Sequence, residues 1–119
     1  MSFKEVLTRI VEATPGGIGA VLVDDEGEAI DLFTKGDSFE TKLAGAHNGI
    51  ILGLIEDVIA RNGNRDKMEE LSIRSDRYIY SMISVIDGIF VVLIQSSDGI
   101  QSKGLKVLRE SIPSIIKLI

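Results

Sequence analysis

Three glycines spaced four residues apart lie within the stretch from Ser38 to Asn62, which otherwise reads as one long helix. They are Gly45, Gly49 and Gly53, and this spacing places them on one arc of the helix. Each glycine costs about 0.5–1 kcal/mol relative to alanine in a helix interior, so an aligned set indicates close approach by another backbone. The other side of the helix is a broad apolar arc, formed by Leu43, Ile50, Ile51, Leu54, Ile55 and Val58. A helix with both arcs is predicted to be covered on two sides.

The glycine arc has two interpretations. Small residues let two helices cross closely, so the arc is predicted to face a second copy of the chain while the apolar arc faces the sheet. Alternatively, the glycines only let the helix lie close on its own sheet. The first interpretation assigns to a dimer interface the residues Gly45, Gly49, Gly53, Leu52 and Glu56. It leaves as candidate partner-binding residues Lys42, Asn48, Asp57 and Ala60.

Composition excludes several classes of protein. The chain of 119 residues has the length of a single domain, spanning 1–119, and a net charge of −5. Its lysines and arginines are scattered, which argues against a nucleic-acid or anionic-membrane surface. Cysteine is absent, so no disulfide, thiol nucleophile or cysteine metal site exists. The first residues lack the pattern of a signal peptide, and the near-apolar windows are too short to span a bilayer. We expect a cytoplasmic protein without a membrane span.

Helix and strand signals alternate along the rest of the chain. Ser2 and Glu5 predict a capping box before a first helix that ends near Pro15. Asp37 and Glu40 offer a second capping box before the long helix. Apolar runs separated by turn residues predict strands at Ile18–Val23, Glu28–Thr34, Met68–Arg77, Tyr78–Ile86 and Ile89–Gln95. The strongest turn signals are the acidic turn at 24–27 and the Asp87-Gly88 hairpin.

A last helix follows Gly99, and Pro113 is predicted to kink it or to restart it. The order helix, two strands, helix, three strands, helix predicts an antiparallel α/β sandwich with helices on both faces of five strands. The fifth strand is apolar on both faces and is predicted to be central. The third strand is polar and is predicted to lie at a sheet edge or against a polar partner. As an edge, it would either pair with its twin across a two-fold axis or be protected by its charges. In the pairing case the dimer interface includes Ser72, Arg74 and Asp76.

No group of residues predicts catalysis. The Gly16–Gly19 run precedes a strand and lacks the ending of a phosphate loop, so it is interpreted as a turn. The successive acids of 24–26 point apart and are interpreted as a solvated turn rather than a metal site. His47 is the only histidine, has no visible nucleophile beside it, and is interpreted as a hydrogen-bonded structural residue. The sequence therefore predicts a protein that is not an enzyme, with no cofactor and no metal.

The element order, the run from Gly17 to Gly27, the middle helix rich in small residues and the Asp87-Gly88 hairpin resemble the roadblock/dynein light chain family over nearly the whole chain. The resemblance implies a five-stranded sheet with the middle helix on one face and the terminal helices on the other. It also implies a dimer in which the middle helices lie side by side and the third strands pair. Prokaryotic members similar to the gliding-motility B protein regulate a small Ras-like GTPase, and other members scaffold dynein or lysosomal signalling complexes.

We therefore expect a homodimer that binds and regulates a small Ras-like GTPase through the middle-helix side. If it accelerates hydrolysis, we expect it to reshape the GTPase's own site, because no arginine stands out as an inserted finger. The alternative is a structural adaptor that assembles a larger complex. A third interpretation is a sensor that binds a small molecule between sheet and helix.

Overall fold

A computed structural model describes residues 1–63, 65–86 and 88–119. The element order α-β-β-α-β-β-β-α is the predicted one. The helices are α1 (Phe3–Ala13), α2 (Ser38–Arg61) and α3 (Gln101–Leu118). The strands are β1 (Gly17–Asp24), β2 (Ala29–Thr34), β3 (Glu70–Arg74), β4 (Tyr78–Ile86) and β5 (Ile89–Ser96). The largest difference from the predicted bounds is in β3, which is shorter at both ends than Met68–Arg77.

All five strands form one antiparallel sheet in the order β2-β1-β5-β4-β3. The prediction that β5 is central is confirmed, since it lies between β1 and β4 and its apolar residues are buried on both faces. The prediction that the polar β3 is an edge is also confirmed. The other edge is β2.

The helices form a layer on each face of the sheet. The terminal helices α1 and α3 cover one face, and α2 covers the other, as the resemblance implied. The side chains of β1 and β5 alternate between the two cores. Those that face α1 and α3 include Ala20, Leu22, Val91 and Leu93. Those that face α2 include Val21, Val23, Phe90 and Val92.

Local signals at the helix ends agree with the sequence. The side chain of Ser2 accepts a hydrogen bond from the Glu5 backbone N–H, and the Glu5 carboxylate accepts one in return from the Ser2 backbone. Asp37 caps α2 by accepting from the Glu40 backbone N–H at 2.9 Å, but the Glu40 side chain makes no return bond to the Asp37 N–H among the described residues, so the second capping box forms only in part. Gly63 follows α2 with a left-handed φ of +81°, a backbone conformation that glycine adopts readily at the end of a helix.

The predicted tight turns contain glycines at positive φ. Gly27 has a φ of +82° after the acidic residues, and the Asp24 carboxylate accepts from the backbone N–H groups of Glu26 and Glu28. Gly88 has a φ of +79° at the β4–β5 hairpin. The other residue of that hairpin signal, Asp87, lies outside the described residues.

Of the two alternatives predicted for Pro113, the restart of the last helix is wrong, because α3 runs unbroken from Gln101 to Leu118, and the kink stays a prediction. Proline removes one backbone hydrogen bond inside a helix and is unfavourable there. Leu108 before it and Ile115 after it are almost completely buried against the sheet. This packing on both sides of Pro113 keeps the two halves in one helix.

By length and composition alone, α2 is a helix that could cross a membrane, so the prediction that the near-apolar windows are too short to span a bilayer is wrong for this helix. Only 17% of its most apolar window is buried within the chain. It nevertheless lies on the sheet through four buried residues, Thr41, Gly45, Asn48 and Leu52. The apolar character of α2 therefore comes mainly from its outer side.

Candidate protein interface

The glycine arc of α2 contacts the sheet of its own chain. A Cβ atom at Gly45 would lie 2.9 Å from Cγ1 of Val21, and one at Gly49 would lie 2.7 Å from Cζ of Phe90. Cβ atoms essentially never approach other heavy atoms so closely, so only glycine fits at these two positions without a shift. Because Gly45 and Gly49 have no side chains, α2 can lie close against β1 and β5.

The predicted orientation of α2 is therefore wrong, and the second interpretation of its glycines is correct for Gly45 and Gly49. The physical reason is that side chains of the strands already fill the space between the sheet and α2. Bulky valines and a phenylalanine project from β1 and β5 towards α2, so the helix has to supply small residues in return. Consequently Gly45 and Gly49 are not free to contact a second copy.

Two further residues assigned to interfaces also face the sheet. Leu52 is 3% exposed and packs in the core beneath α2, so its assignment to a dimer interface is wrong. Asn48 is 5% exposed, and its Nδ2 donates to the Ala44 carbonyl at 2.8 Å. Because this amide is buried and hydrogen-bonded within the helix, Asn48 is not a surface residue for a partner.

The outer side of α2 carries a row of large apolar side chains that we call the outer stripe. Their exposed fractions run from 39% to 67%, and they are Phe39, Leu43, Ile50, Leu54 and Val58. Single exposed apolar residues are ordinary on protein surfaces, but a continuous row along one helix marks a contact surface. His47, interpreted from the sequence as a hydrogen-bonded structural residue, lies exposed on the same side of α2.

The flanks of the outer stripe contain the remaining predicted residues of α2. Lys42, Glu56, Asp57 and Ala60 are all exposed. Gly53 is also exposed, and a Cβ atom there would have no neighbour within 4 Å. These five residues are placed where a partner can reach them, so their interface roles stay predictions.

The second predicted surface is the free edge of β3. Ser72 is half-buried and its Oγ lies 3.3 Å from Oγ of Ser81 on β4, while Arg74 donates from Nη1 to the Ser97 carbonyl at 2.9 Å. Asp76 is exposed in the turn after the strand. All three stay predicted interface residues at the sheet edge.

An ion pair ties β3 to α3. The Arg109 guanidinium donates two hydrogen bonds to the Glu70 carboxylate, at 2.7 Å and 2.9 Å. These bonds hold the pKa of Glu70 below its ordinary value of 4.5, so the carboxylate stays ionised at neutral pH. The charge at one end of the free edge is therefore fixed in place.

A shallow groove separates the first half of α2 from β4, and the sensor interpretation would use this groove. Tyr78 and Tyr80 line it, with their ring centroids 6.1 Å apart. Burial raises the pKa of the Tyr80 hydroxyl, so it is protonated at neutral pH. The two rings lie at the sheet side of the groove, and Thr41 and Ala44 lie at its helix side.

Comparison with solved structures identifies the fold. The chain is similar to a Roadblock/LC7 domain from Streptomyces avermitilis, with a TM-score of 0.88 and 12% identity over 98% of this chain and 97% of the other. It is also similar to Myxococcus xanthus MglB, with a TM-score of 0.83 and 12% identity over 99% and 97% of the two chains. For MglC from Myxococcus xanthus the TM-score is 0.76 and the identity 23%, over the whole of both chains. Family models and curated proteins give no match to the sequence. The fold is that of Roadblock/LC7 domains and of the MglB and MglC gliding-motility proteins, so the resemblance is confirmed at the level of fold.

Sequence reasoning missed two features of these surfaces. Phe39 begins the outer stripe four residues before Leu43, and this helical spacing was the available signal. The pair of Glu70 and Arg109 joins residues that are 39 positions apart. No local pattern predicts such a pair, because it depends on where α3 crosses the sheet.

Proposed function

We propose that this protein is a non-catalytic, dimeric interaction module of the cytoplasm that binds and regulates a small Ras-like GTPase, and that the outer stripe of α2 contacts the GTPase. The observation that carries the proposal is the exposure of Phe39, Ile50 and Leu54 on a helix whose opposite side is firmly packed. The GTPase is the partner that the roadblock resemblance implies. The fold shared with MglB, described as a gliding protein in its Thermus thermophilus form, supports that choice.

The outer stripe has the properties of a protein-binding surface. Central apolar anchors that lose all their solvent on binding supply most of the affinity of an interface. The stripe offers such anchors, and polar residues such as Lys42 and Asp57 stand at its flanks as a rim. Because Gly45 and Gly49 fix α2 against the sheet, the anchors are held in place before binding, which lowers the entropy lost on association.

Dimerisation through β3 would bring two such surfaces together. Two edge strands that pair antiparallel about a two-fold axis normal to the sheet extend it into one continuous sheet. Both α2 helices then lie on the same face of that sheet. A GTPase placed there would meet the outer stripes of both copies, so a dimer would offer it a larger apolar surface than one copy does.

Binding measurements with purified proteins test this function. The small Ras-like GTPases encoded in the same genome are loaded with GDP or with a non-hydrolysable GTP analogue and titrated with the protein by calorimetry. We expect binding that depends on the nucleotide and a changed rate of GTP hydrolysis. The variant Ile50→Asp should weaken binding at least about tenfold, because it places a charge in the apolar centre of the contact.

A matched control is an isoleucine exposed on the opposite side of the molecule. Ile50 is 64% exposed and Ile116 of α3 is 45% exposed, so Ile116→Asp makes the same chemical change on the face that carries α1 and α3. We expect Ile116→Asp to bind like the wild type, and both variants to keep the wild-type circular dichroism spectrum. If no GTPase binds in either nucleotide state, the adaptor alternative is favoured. Equal losses in the two variants would show that the outer stripe is not the contact.

A further inference from the structure

The free edge of β3 presents the backbone groups of three particular residues. The Ser75 N–H donates to the Tyr78 carbonyl at 2.8 Å and so begins the ladder between β3 and β4. In an antiparallel pair the direction of the backbone groups alternates from residue to residue. Leu71 and Ile73 therefore direct their backbone groups towards β4. The N–H and C=O groups directed to the open edge belong to Glu70, Ser72 and Arg74.

The other edge strand, β2, differs from β3 because one of its edge amides is already hydrogen-bonded. On β2, the Leu32 N–H donates to the carboxylate of Asp31 at 2.8 Å, and Lys4 of α1 lies 3.8 Å from that carboxylate. A side chain thus already satisfies an edge amide of β2. Within the part of the chain that the structure describes, no side chain bonds the backbone N–H groups of β3 in this way. Of the two edges, β3 is therefore the one prepared to accept a strand.

We infer that β3 pairs with β3 of a second copy in one particular register, with Ser72 opposite Ser72 and with Glu70 of each copy opposite Arg74 of the other. This inference rests on the dimer proposed above and goes further by naming the register and the residues that select the partner. The occupant of the edge is a second copy because the edge is complementary to itself: the acidic end of one strand meets the basic end of the other.

Charge and hydrogen bonding both favour this register. Only pairings among Glu70, Ser72 and Arg74 use the backbone groups at the open edge, and the proposed register uses all three residues in both copies. If one strand slides along the other in one direction, the Glu70 residues of the two copies come to lie opposite each other. If it slides in the other direction, the two Arg74 residues do. Like charges directly opposite each other destabilise a strand pair. The smaller displacements leave part of the open edge without a partner strand.

The side chains on the face of β3 that α2 covers favour the same register. In the proposed register Leu71 of each copy lies opposite Ile73 of the other, as a pair without hydrogen bonds, in which side chains are closest. Both residues are half-buried against the core under α2. Apolar cross-strand pairing would cover their remaining exposed surface, so the register matches apolar residues on one face and opposite charges on the other.

The ion pair with Arg109 prepares Glu70 for this contact. Its two hydrogen bonds hold the carboxylate at the Glu70 end of the open edge and favour its ionised form. Little further side-chain entropy is then lost when Arg74 of the second copy approaches. A strand that lacks either the acidic or the basic residue would leave a charge unmatched. The edge therefore discriminates among partner strands as well as attracting one.

Charge reversal tests the inference by sedimentation velocity and equilibrium. Glu70→Lys places the introduced lysine opposite Arg74, and Arg74→Glu places the introduced glutamate opposite Glu70. We expect each single variant to dimerise at least about tenfold more weakly than the wild type, because two attractive pairs become repulsive. The double variant restores opposite charges and should regain most of the affinity. An equimolar mixture of the two single variants should form the mixed dimer in preference to either homodimer.

Two controls separate this contact from other effects of the substitutions. Glu12→Lys changes the net charge as Glu70→Lys does, but its position is exposed on α1, which packs on β1, β2 and α3, so dimerisation should change less than about threefold. Arg109→Gln removes the ion pair within the chain while leaving the residues of β3 intact. A smaller loss is expected for Arg109→Gln than for Glu70→Lys, because Glu70 keeps its charge opposite Arg74.

Cysteine crosslinking reports the register directly, because the chain contains no cysteine of its own. Opposed residues of a hydrogen-bonded pair have Cα atoms about 5.5 Å apart. This separation lies within the range of about 4.4–6.8 Å that a disulfide spans. Under mild oxidation Ser72→Cys should therefore form a crosslinked dimer, and a mixture of Leu71→Cys and Ile73→Cys should form the mixed one.

The outcomes separate the register from the dimer itself. A wild type that stays monomeric at every concentration would overturn both proposals. A wild-type dimer whose affinity is unchanged by Glu70→Lys and by Arg74→Glu would overturn the register and leave the dimer intact. Efficient crosslinking of Leu71→Cys with itself, or of Ile73→Cys with itself, would likewise show that the strands pair in a displaced register.

Discussion

The two sides of α2 reverse the usual distribution of residues on a surface helix. The side that faces the sheet carries Gly45, Asn48 and Leu52, with the polar or small residues buried, whereas the outer side carries Phe39 and Ile50 in contact with solvent. An ordinary amphipathic helix buries its large apolar residues and exposes its polar ones. In this chain the strand side chains supply much of the volume on the inner side, so most of the large apolar residues of α2, such as Phe39 and Ile50, remain exposed for a partner.

This difference separates two functions within one helix. The inner side decides how close α2 lies to the sheet, because Val21 and Phe90 occupy the space that side chains at Gly45 and Gly49 would need. The outer side has no such constraint from its own chain. Substitutions on the inner side should therefore change the free energy of unfolding, and substitutions on the outer side should change association.

The largest expected effect is a loss of stability on truncating Leu52, with Leu54, two positions along the same helix, as the control. Leu52 is 3% exposed, so Leu52→Ala should lower the free energy of unfolding by about 2–5 kcal/mol through lost burial and a residual cavity. Leu54 is 62% exposed, and Leu54→Ala should change it by less than about 0.5 kcal/mol. Urea denaturation of both variants at one protein concentration measures the difference. Similar losses in the two variants would show that the assigned sides of α2 are wrong.

The two sides of α2 also mark where sequence reasoning reached its limit. The period of four in the glycines and the apolar residues between them predicted a helix at 38–62 and two contact surfaces on it, and α2 is found at Ser38–Arg61. Apolar periodicity indicates which residues avoid water, but a second protein removes water as well as a sheet does. The pattern alone therefore could not tell whether Leu54 or Gly45 faces the same chain.

The strands were easier to place than the contacts between elements. The polar residues of β3 predicted an edge, because unpaired strands carry charge, and the apolar residues on both faces of β5 predicted a central strand. Both depend on the residues of one strand. The pair of Glu70 and Arg109 depends instead on the crossing of α3 over β3, which no short segment encodes.

A smaller effect is expected from filling the space under α2. In Gly45→Leu the new side chain would meet Val21 and Val23, which are 0% and 1% exposed and packed in the core under α2. Overpacking of this kind lowers the free energy of unfolding by about 1–3 kcal/mol, even after the gain in helix propensity. Ala60→Leu, an exposed position on the same helix, is the control and should leave stability nearly unchanged. Thermal unfolding of both variants provides the measurement, and an unaffected Gly45→Leu would mean that α2 lies farther from the sheet.

The smallest expected effect comes from the third glycine of α2, which lies outside the contact between α2 and the sheet. A Cβ atom at Gly53 would meet nothing within 4 Å, so Gly53→Ala should raise the free energy of unfolding by about 0.5–1 kcal/mol through helix propensity alone. The same substitution at Gly45 places the Cβ atom 2.9 Å from a buried valine, so the gain there should be cancelled or reversed. Comparing the two alanine variants by urea denaturation isolates the contact with the sheet, because the propensity term is common to both. A stabilised Gly45→Ala would show that the valines yield at little cost, and the spacing between α2 and β1 would then be set by Leu52 and Phe90 rather than by the glycine.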